Sequence, residues 1–251
     1  MMKKLSFVEI SIFGIVLMLG LAGTSAAGPK IAVQEARWDF GAITGPYPVR
    51  HEFKIRNDGD ESLRIQQVTT SCGCTAVTLK DSTAPPGKEV SIGIVFNAAS
   101  LGPGGFTEKT IGLASNDFRG APVTLTIAAS LSLQGISGAD IEPKWIRVEK
   151  GERGRSVRKA VRVTNPSDKA VEVQILETSG ANVQARLGRT RIPGRGRAEL
   201  SLLVNGKELK GPPQETGGHS VTLAVGRERI TLPVEIALDP DEIQGSTDRT
   251  H

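Results

Sequence analysis

The feature that most constrains this 251-residue chain is that it reads as one design written twice. In the first copy Trp38 precedes Phe53-Lys54-Ile55-Arg56-Asn57-Asp58-Gly59-Asp60 and then Leu63-Arg64-Ile65. In the second, Trp145 precedes Val161-Arg162-Val163-Thr164-Asn165-Pro166-Ser167-Asp168 and then Val171-Glu172-Val173. The step from Trp to Asn is 19 residues in one copy and 20 in the other. From that Asn to the Pro of a Pro-Gly-basic turn (Pro86-Gly87-Lys88, Pro193-Gly194-Arg195) is 29 and 28 residues. From that Pro to the first apolar residue of the closing strand (Val123, Ile230) is 37 in both. Landmarks kept in step over this distance indicate tandem repetition, and two domains are expected, at 28–134 and 135–238.

Each copy is patterned for strands. Apolar and polar residues alternate with period two in Val90–Phe96, Val123–Ile127, Val171–Ile175, Val221–Val225 and Ile230–Leu232, the pattern of a strand with one buried face. Nothing after the first two dozen residues keeps helical spacing through three turns. Gly- and Pro-rich punctuation separates the strands: Asn57-Asp58-Gly59-Asp60, Pro85-Pro86-Gly87, Gly102-Pro103-Gly104-Gly105, Asn165-Pro166-Ser167, Asn205-Gly206 and Pro212-Pro213. The 29 Gly and 14 Pro of the chain serve this architecture. The expected fold is all-β, two tandem immunoglobulin-like β-sandwiches, without the Cys…Trp…Cys core of antibody domains. Pro233 inside the last strand fits an edge or a bulge.

The ends read differently. Lys3 and Lys4, the apolar run Ile10–Leu21 and the small residues 23–27 form an export signal over residues 1–27. With the signal removed no membrane span is left, since no later apolar run is long enough. The expected location is the periplasm or the exterior, where disulfides persist. Residues 239–251 hold four acidic side chains and one basic, and read as a disordered acidic tail. Residues 28–134 carry ten charges of each sign, whereas residues 135–238 carry 18 basic and 12 acidic side chains. A basic second half points to an anionic partner.

In the first copy, Trp38-Asp39-Phe40-Gly41, the Asn57–Asp60 turn, Leu63-Arg64-Ile65, Ser71-Cys72-Gly73-Cys74-Thr75 and Pro86-Gly87-Lys88 resemble a bacterial family. It is an exported immunoglobulin-like domain of unknown function, related to the Hydin and ASPM modules. The resemblance covers roughly residues 35–130. The second copy departs from it, with Gly180 near the place of the cysteine pair and no Cys. The resemblance implies an exported sandwich and, from the use of such modules elsewhere, a binding or scaffold role. It implies no activity.

Cys72-Gly73-Cys74 is the one constellation that carries chemistry. In extended backbone, residues two apart share a face, so both thiols would point one way. Three states stay open: a strained disulfide across one intervening residue, a soft-metal site for copper or zinc, and two small apolar side chains in the core. Only His51 and His219 could add imidazole from the folded body. The spacing is not Cys-x-x-Cys and no helix follows to activate a thiol.

A second candidate is a basic surface formed by Arg186, Arg189, Arg191, Arg195 and Arg197 around the Pro193-Gly194 turn, with Lys150, Arg153, Arg155, Arg158 and Lys159 in another turn. Guanidinium groups suit phosphate and carboxylate. Nucleic acid is not the expected ligand, because aromatic residues do not interleave with the charges. No nucleophile elbow, phosphate loop, zinc-protease helix or calcium loop occurs. The chain thus reads as an exported, non-enzymatic scaffold or binding protein without a cofactor, contacting an envelope protein or an anionic surface component. The alternative is a copper, zinc or thiol-redox accessory protein using Cys72 and Cys74.

Overall fold

The computed structural model describes residues 28–236 apart from 103, 119, 121, 134–137, 150, 151, 153, 154, 181 and 206–217. The signal, the tail, Lys150, Arg153, the Gly206 side of one turn, the Pro212-Pro213 turn and Pro103 lie outside the described residues.

Eighteen strands are seen among the described residues. The first nine are β1 (Ile31–Val33), β2 (Arg37–Ile43), β3 (Pro48–Asn57), β4 (Leu63–Thr70), β5 (Thr75–Leu79), β6 (Thr83–Ala84), β7 (Glu89–Asn97), β8 (Phe106–Ser115) and β9 (Val123–Leu131). The second nine are β10 (Asp140–Glu142), β11 (Ile146–Val148), β12 (Ser156–Thr164), β13 (Val171–Ser179), β14 (Val183–Leu187), β15 (Arg191–Ile192), β16 (Arg197–Asn205), β17 (His219–Val225) and β18 (Glu228–Ile236). The all-β expectation holds.

The repetition extends to the pairing. One four-stranded sheet runs β1-β3-β7-β5, and its counterpart runs β10-β12-β16-β14. β2 pairs in parallel with β9 as β11 does with β18, and β4 pairs with β6 and β8 as β13 does with β15 and β17. Alternation makes these sheets. On β3, Val49, His51, Phe53, Ile55 and Asn57 are buried, and on β16, Ala198, Leu200, Leu202 and Val204. Two apolar clusters result. One is built from Trp38, Phe40, Phe53, Ile55, Ile92, Phe96 and others of the first half, the other from Val161, Val163, Leu200, Leu202, Leu223, Leu232 and others of the second. Burying each such side chain contributes about 1.5–3 kcal/mol.

The halves are not separate beads. β18 also pairs in parallel with β2, through Ile230↔Ala42 and Thr231↔Ile43, so the second sheets of both halves merge into one ten-stranded sheet. Gly41 permits the junction: its φ is +66°, and a Cβ there would lie 2.1 Å from the Arg229 carbonyl oxygen. Pro233 therefore sits in an interior strand, not at the expected edge. Ser220 of β17 faces it on one side, and on the other β18 passes from β2 to β11, which it first meets at Val234. The missing N–H falls where the strand changes partner.

Candidate functional site

Cys72 and Cys74 lie between β4, in the ten-stranded sheet, and β5, at the edge of the four-stranded one. The chain crosses from sheet to sheet here, so Cys72-Gly73-Cys74 is a turn and not the extended segment expected from the sequence. The turn brings the sulfurs together. They are joined as a disulfide, with Cα atoms 5.3 Å apart. Both cysteines are half-buried, and Cys74 packs against the first apolar cluster. The fully buried pair allowed by the sequence is thus not what the structure places here. A Cβ on Gly73 would meet nothing within 4 Å, so the outer side of the ring is open.

The turn is anchored apart from the bridge. Ser71 N donates to Thr110 O at 3.0 Å and Thr110 N to Ser71 Oγ at 3.0 Å. Thr70 Oγ1 donates to Cys72 O at 3.1 Å, and Asn97 N to Cys74 O at 2.9 Å. Closing so short a loop restrains the unfolded chain by roughly 1.6 kcal/mol, against roughly 3 kcal/mol for a 15-residue loop. The Thr75 hydroxyl, on a buried residue, lies 3.6 Å from Cys72 Sγ and 3.9 Å from Cys74 Sγ.

The two imidazoles stand elsewhere. Asn97 pairs with both Cys74 and Pro48, which puts His51 two strands over and three residues along from the bridge. His51 Nδ1 is 3.0 Å from both carboxylate oxygens of Glu177, on the other half. Its ring stacks on Trp38 at 4.1 Å, and the Arg229 guanidinium lies 5.2 Å from the Trp38 ring centroid. His219 is buried at the start of β17. Among the described residues, no three His, Cys, Asp or Glu gather to hold a metal ion.

The five arginines divide. Arg186 on β14 and Arg197 on β16 occupy the outer face of β10-β12-β16-β14, with Arg189 in the loop between β14 and β15. Arg191 belongs to β15, in the other sheet, and Arg195 turns aside to Asp168 at 2.7 Å. The structure adds Arg162 of β12 and places Arg158 on the same strand, not in the expected turn; both are exposed on the face of Arg186 and Arg197. A groove of about 720 Å³ runs between Arg162, Arg189 and Arg197, with Glu142 and Glu199 in its walls. Glu142 pairs with Arg162 at 3.5 Å, while Arg158, Arg186, Arg189 and Arg197 have no ion pair with a described residue. Arg162 could have been found from the β12 alternation, which sends it the same way as Arg158. Lys159, expected in a turn, lies on β12 and pairs with Glu152 at 2.7 Å, and that hydrogen bond holds the Glu152 carboxyl below its ordinary range.

What fold and site define is an all-β chain of two four-stranded sheets and one ten-stranded sheet around two apolar clusters, with one disulfide turn and one arginine-rich face. Residues 31–131 match the family described as a protein of unknown function (DUF1573). No curated protein matches the chain. Among solved structures, a protein of unknown function from Porphyromonas gingivalis is 13% identical, covering 84% of this chain and 100% of its own, with a TM-score of 0.36. The Escherichia coli chaperone DraB is 12% identical over 82% of this chain and 98% of its own, with a TM-score of 0.34. The Pseudomonas aeruginosa CupB2 chaperone is 12% identical over 80% and 97%, with a TM-score of 0.32.

Proposed function

We propose that this is an exported, non-enzymatic binding protein of the cell envelope whose second half holds an anionic partner against the outer face of β12 and β16. The observation that carries the reading is the groove between Arg162, Arg189 and Arg197. Three guanidinium groups around one concavity can grip phosphate or carboxylate with paired hydrogen bonds. Glu142 and Glu199 in the walls select against a simple polyanion, because the ligand must place its charges between them. Export rests on the signal read in residues 1–27.

The test is capture from envelope extract by the full-length chain, followed by a salt gradient. The expected result is an acidic partner released as salt rises, and lost from an Arg189→Ala/Arg197→Ala variant. A Cys72→Ser/Cys74→Ser variant should retain it. Equal capture by the arginine variant would sink the reading.

A further inference from the structure

The Cys72–Cys74 bridge is placed as a reactive bond and not as a clamp. Its turn keeps its own hydrogen bonds on both sides, to Thr110 and Asn97. The ring opens outward at Gly73. A hydroxyl, Thr75 Oγ1, stands within reach of both sulfurs. The second half, where Gly180 follows β13, has the same strands and pairings with no bridge, so this fold does not need one.

We infer that Cys72 and Cys74 form a thiol–disulfide exchange couple that accepts electrons from the paired thiols of another exported protein. The function is separate from the arginine face and does not depend on it. Cys74 is the sulfur packed against the apolar cluster, so an incoming thiolate reaches Cys72. It bonds to Cys72 Sγ, the Sγ–Sγ bond breaks, and the electron pair leaves on Cys74 Sγ. There the Thr75 hydroxyl donates to the departing thiolate, which lowers its basicity and speeds departure. The partner's second thiolate then attacks the partner sulfur of the mixed disulfide, closing the partner's own disulfide and releasing Cys72. Two electrons pass from the partner dithiol to the bridge, and the two thiolates take up the protons that the partner's thiols released. No metal or further oxidant enters.

Glutathione serves as the probe on the full-length chain, with thiols counted by alkylation and mass. The bridge should open under millimolar reduced glutathione while the protein stays folded, its unfolding midpoint falling by no more than about 6 °C. With oxidised glutathione as the probe, the free Cys72 thiolate of Cys74→Ser should form a mixed disulfide and release one reduced glutathione, and Cys72→Ser should do the same at Cys74 at least about tenfold more slowly. Thr75→Val, close in shape, should slow exchange about threefold, and Thr75→Ser should restore it. Three results each overturn the inference: a bridge that resists glutathione until the chain is unfolded, equal trapping at the two cysteines, or wild-type exchange in Thr75→Val. Wild-type protein alone decides the first, whatever becomes of the variants.

Discussion

Two asparagines hold the two halves in the same way. Asn57 Nδ2 donates to Glu61 O at 2.7 Å and Ala84 O at 2.9 Å; Asn165 Nδ2 donates to Lys169 O at 2.7 Å and Ile192 O at 3.3 Å, at the same sequence offsets. Their Oδ1 atoms accept from Gly59 N and Ser167 N, each at 3.0 Å. Both residues are fully buried, so the amide supplies what water would otherwise have to. Asn165→Ala should cost about 2–4 kcal/mol in urea denaturation, because it strands buried carbonyls and an amide N–H, and Asn57→Ala a similar amount. The Asn was visible in the sequence as a landmark, but its purpose was not, since its partners lie up to 28 positions away. The Pro-Gly turns show where spacing misled by one residue. Lys88 N donates to Pro85 O and Gly196 N to Pro193 O, so Pro85, not Pro86, is the counterpart of Pro193. The left-handed position of the turn is then Gly87 in one half (φ +71°) and Arg195 in the other (φ +57°). Arg195→Gly should raise stability by about 1 kcal/mol, because only the arginine carries a Cβ into that conformation; its exposed pair with Asp168 contributes little. Unchanged or lower thermal stability would count against this.

At the scale of elements, the parallel contact between β2 and β18 turns two sheets into one. Thr44 N donates to Thr231 O at 3.0 Å, Thr231 Oγ1 to Phe40 O at 2.6 Å, and the Thr222 and Thr231 hydroxyls meet at 2.9 Å. Gly41→Ala must move the Arg229 backbone or its own, since the approach is to main-chain atoms and the φ is left-handed. It should lower stability by more than about 2 kcal/mol and split a single calorimetric transition into two. A single transition at the wild-type temperature would show that the junction yields freely. No local pattern announces this contact. Val221-Thr222-Leu223-Ala224-Val225 alternates as a strand with a wet polar face should, yet nearly all of β17 is buried. Ser220 reaches the other half, its Oγ donating to Arg50 O at 3.4 Å, and within its own half it meets Ser179 Oγ at 2.8 Å. Alternation identifies which residues share a face. What covers that face is decided by residues more than a hundred positions away, and for the same reason the spacing of the arginines did not reveal that Arg191 and Arg195 leave the surface shared by Arg186 and Arg197.

Over the whole molecule, these contacts make a polar seam between two apolar cores. His51 and Glu177 cross it, Trp38 carries the His51 ring, and Arg229 lies against Trp38 from the second half. Tyr47 and Trp145 meet at 5.3 Å nearby, and burial together with Glu235 pushes the Tyr47 phenol up. A seam held by directed bonds fixes one relative pose, where a purely apolar one would tolerate sliding. The consequence is that the basic groove and the disulfide turn, one on each half, are held at a fixed separation, so a partner touching both meets a rigid surface. A double-mutant cycle on His51 and Glu177 tests this link in the full-length chain. Each single change to Ala leaves the other group buried or half-buried without its partner, so the two losses should not add. A coupling of about 1–3 kcal/mol is expected, with Glu177→Gln recovering part of it because an amide oxygen still accepts from the ring. Additive losses would mean that the pair lies beside the seam without holding it, and that the fused sheet alone sets the pose.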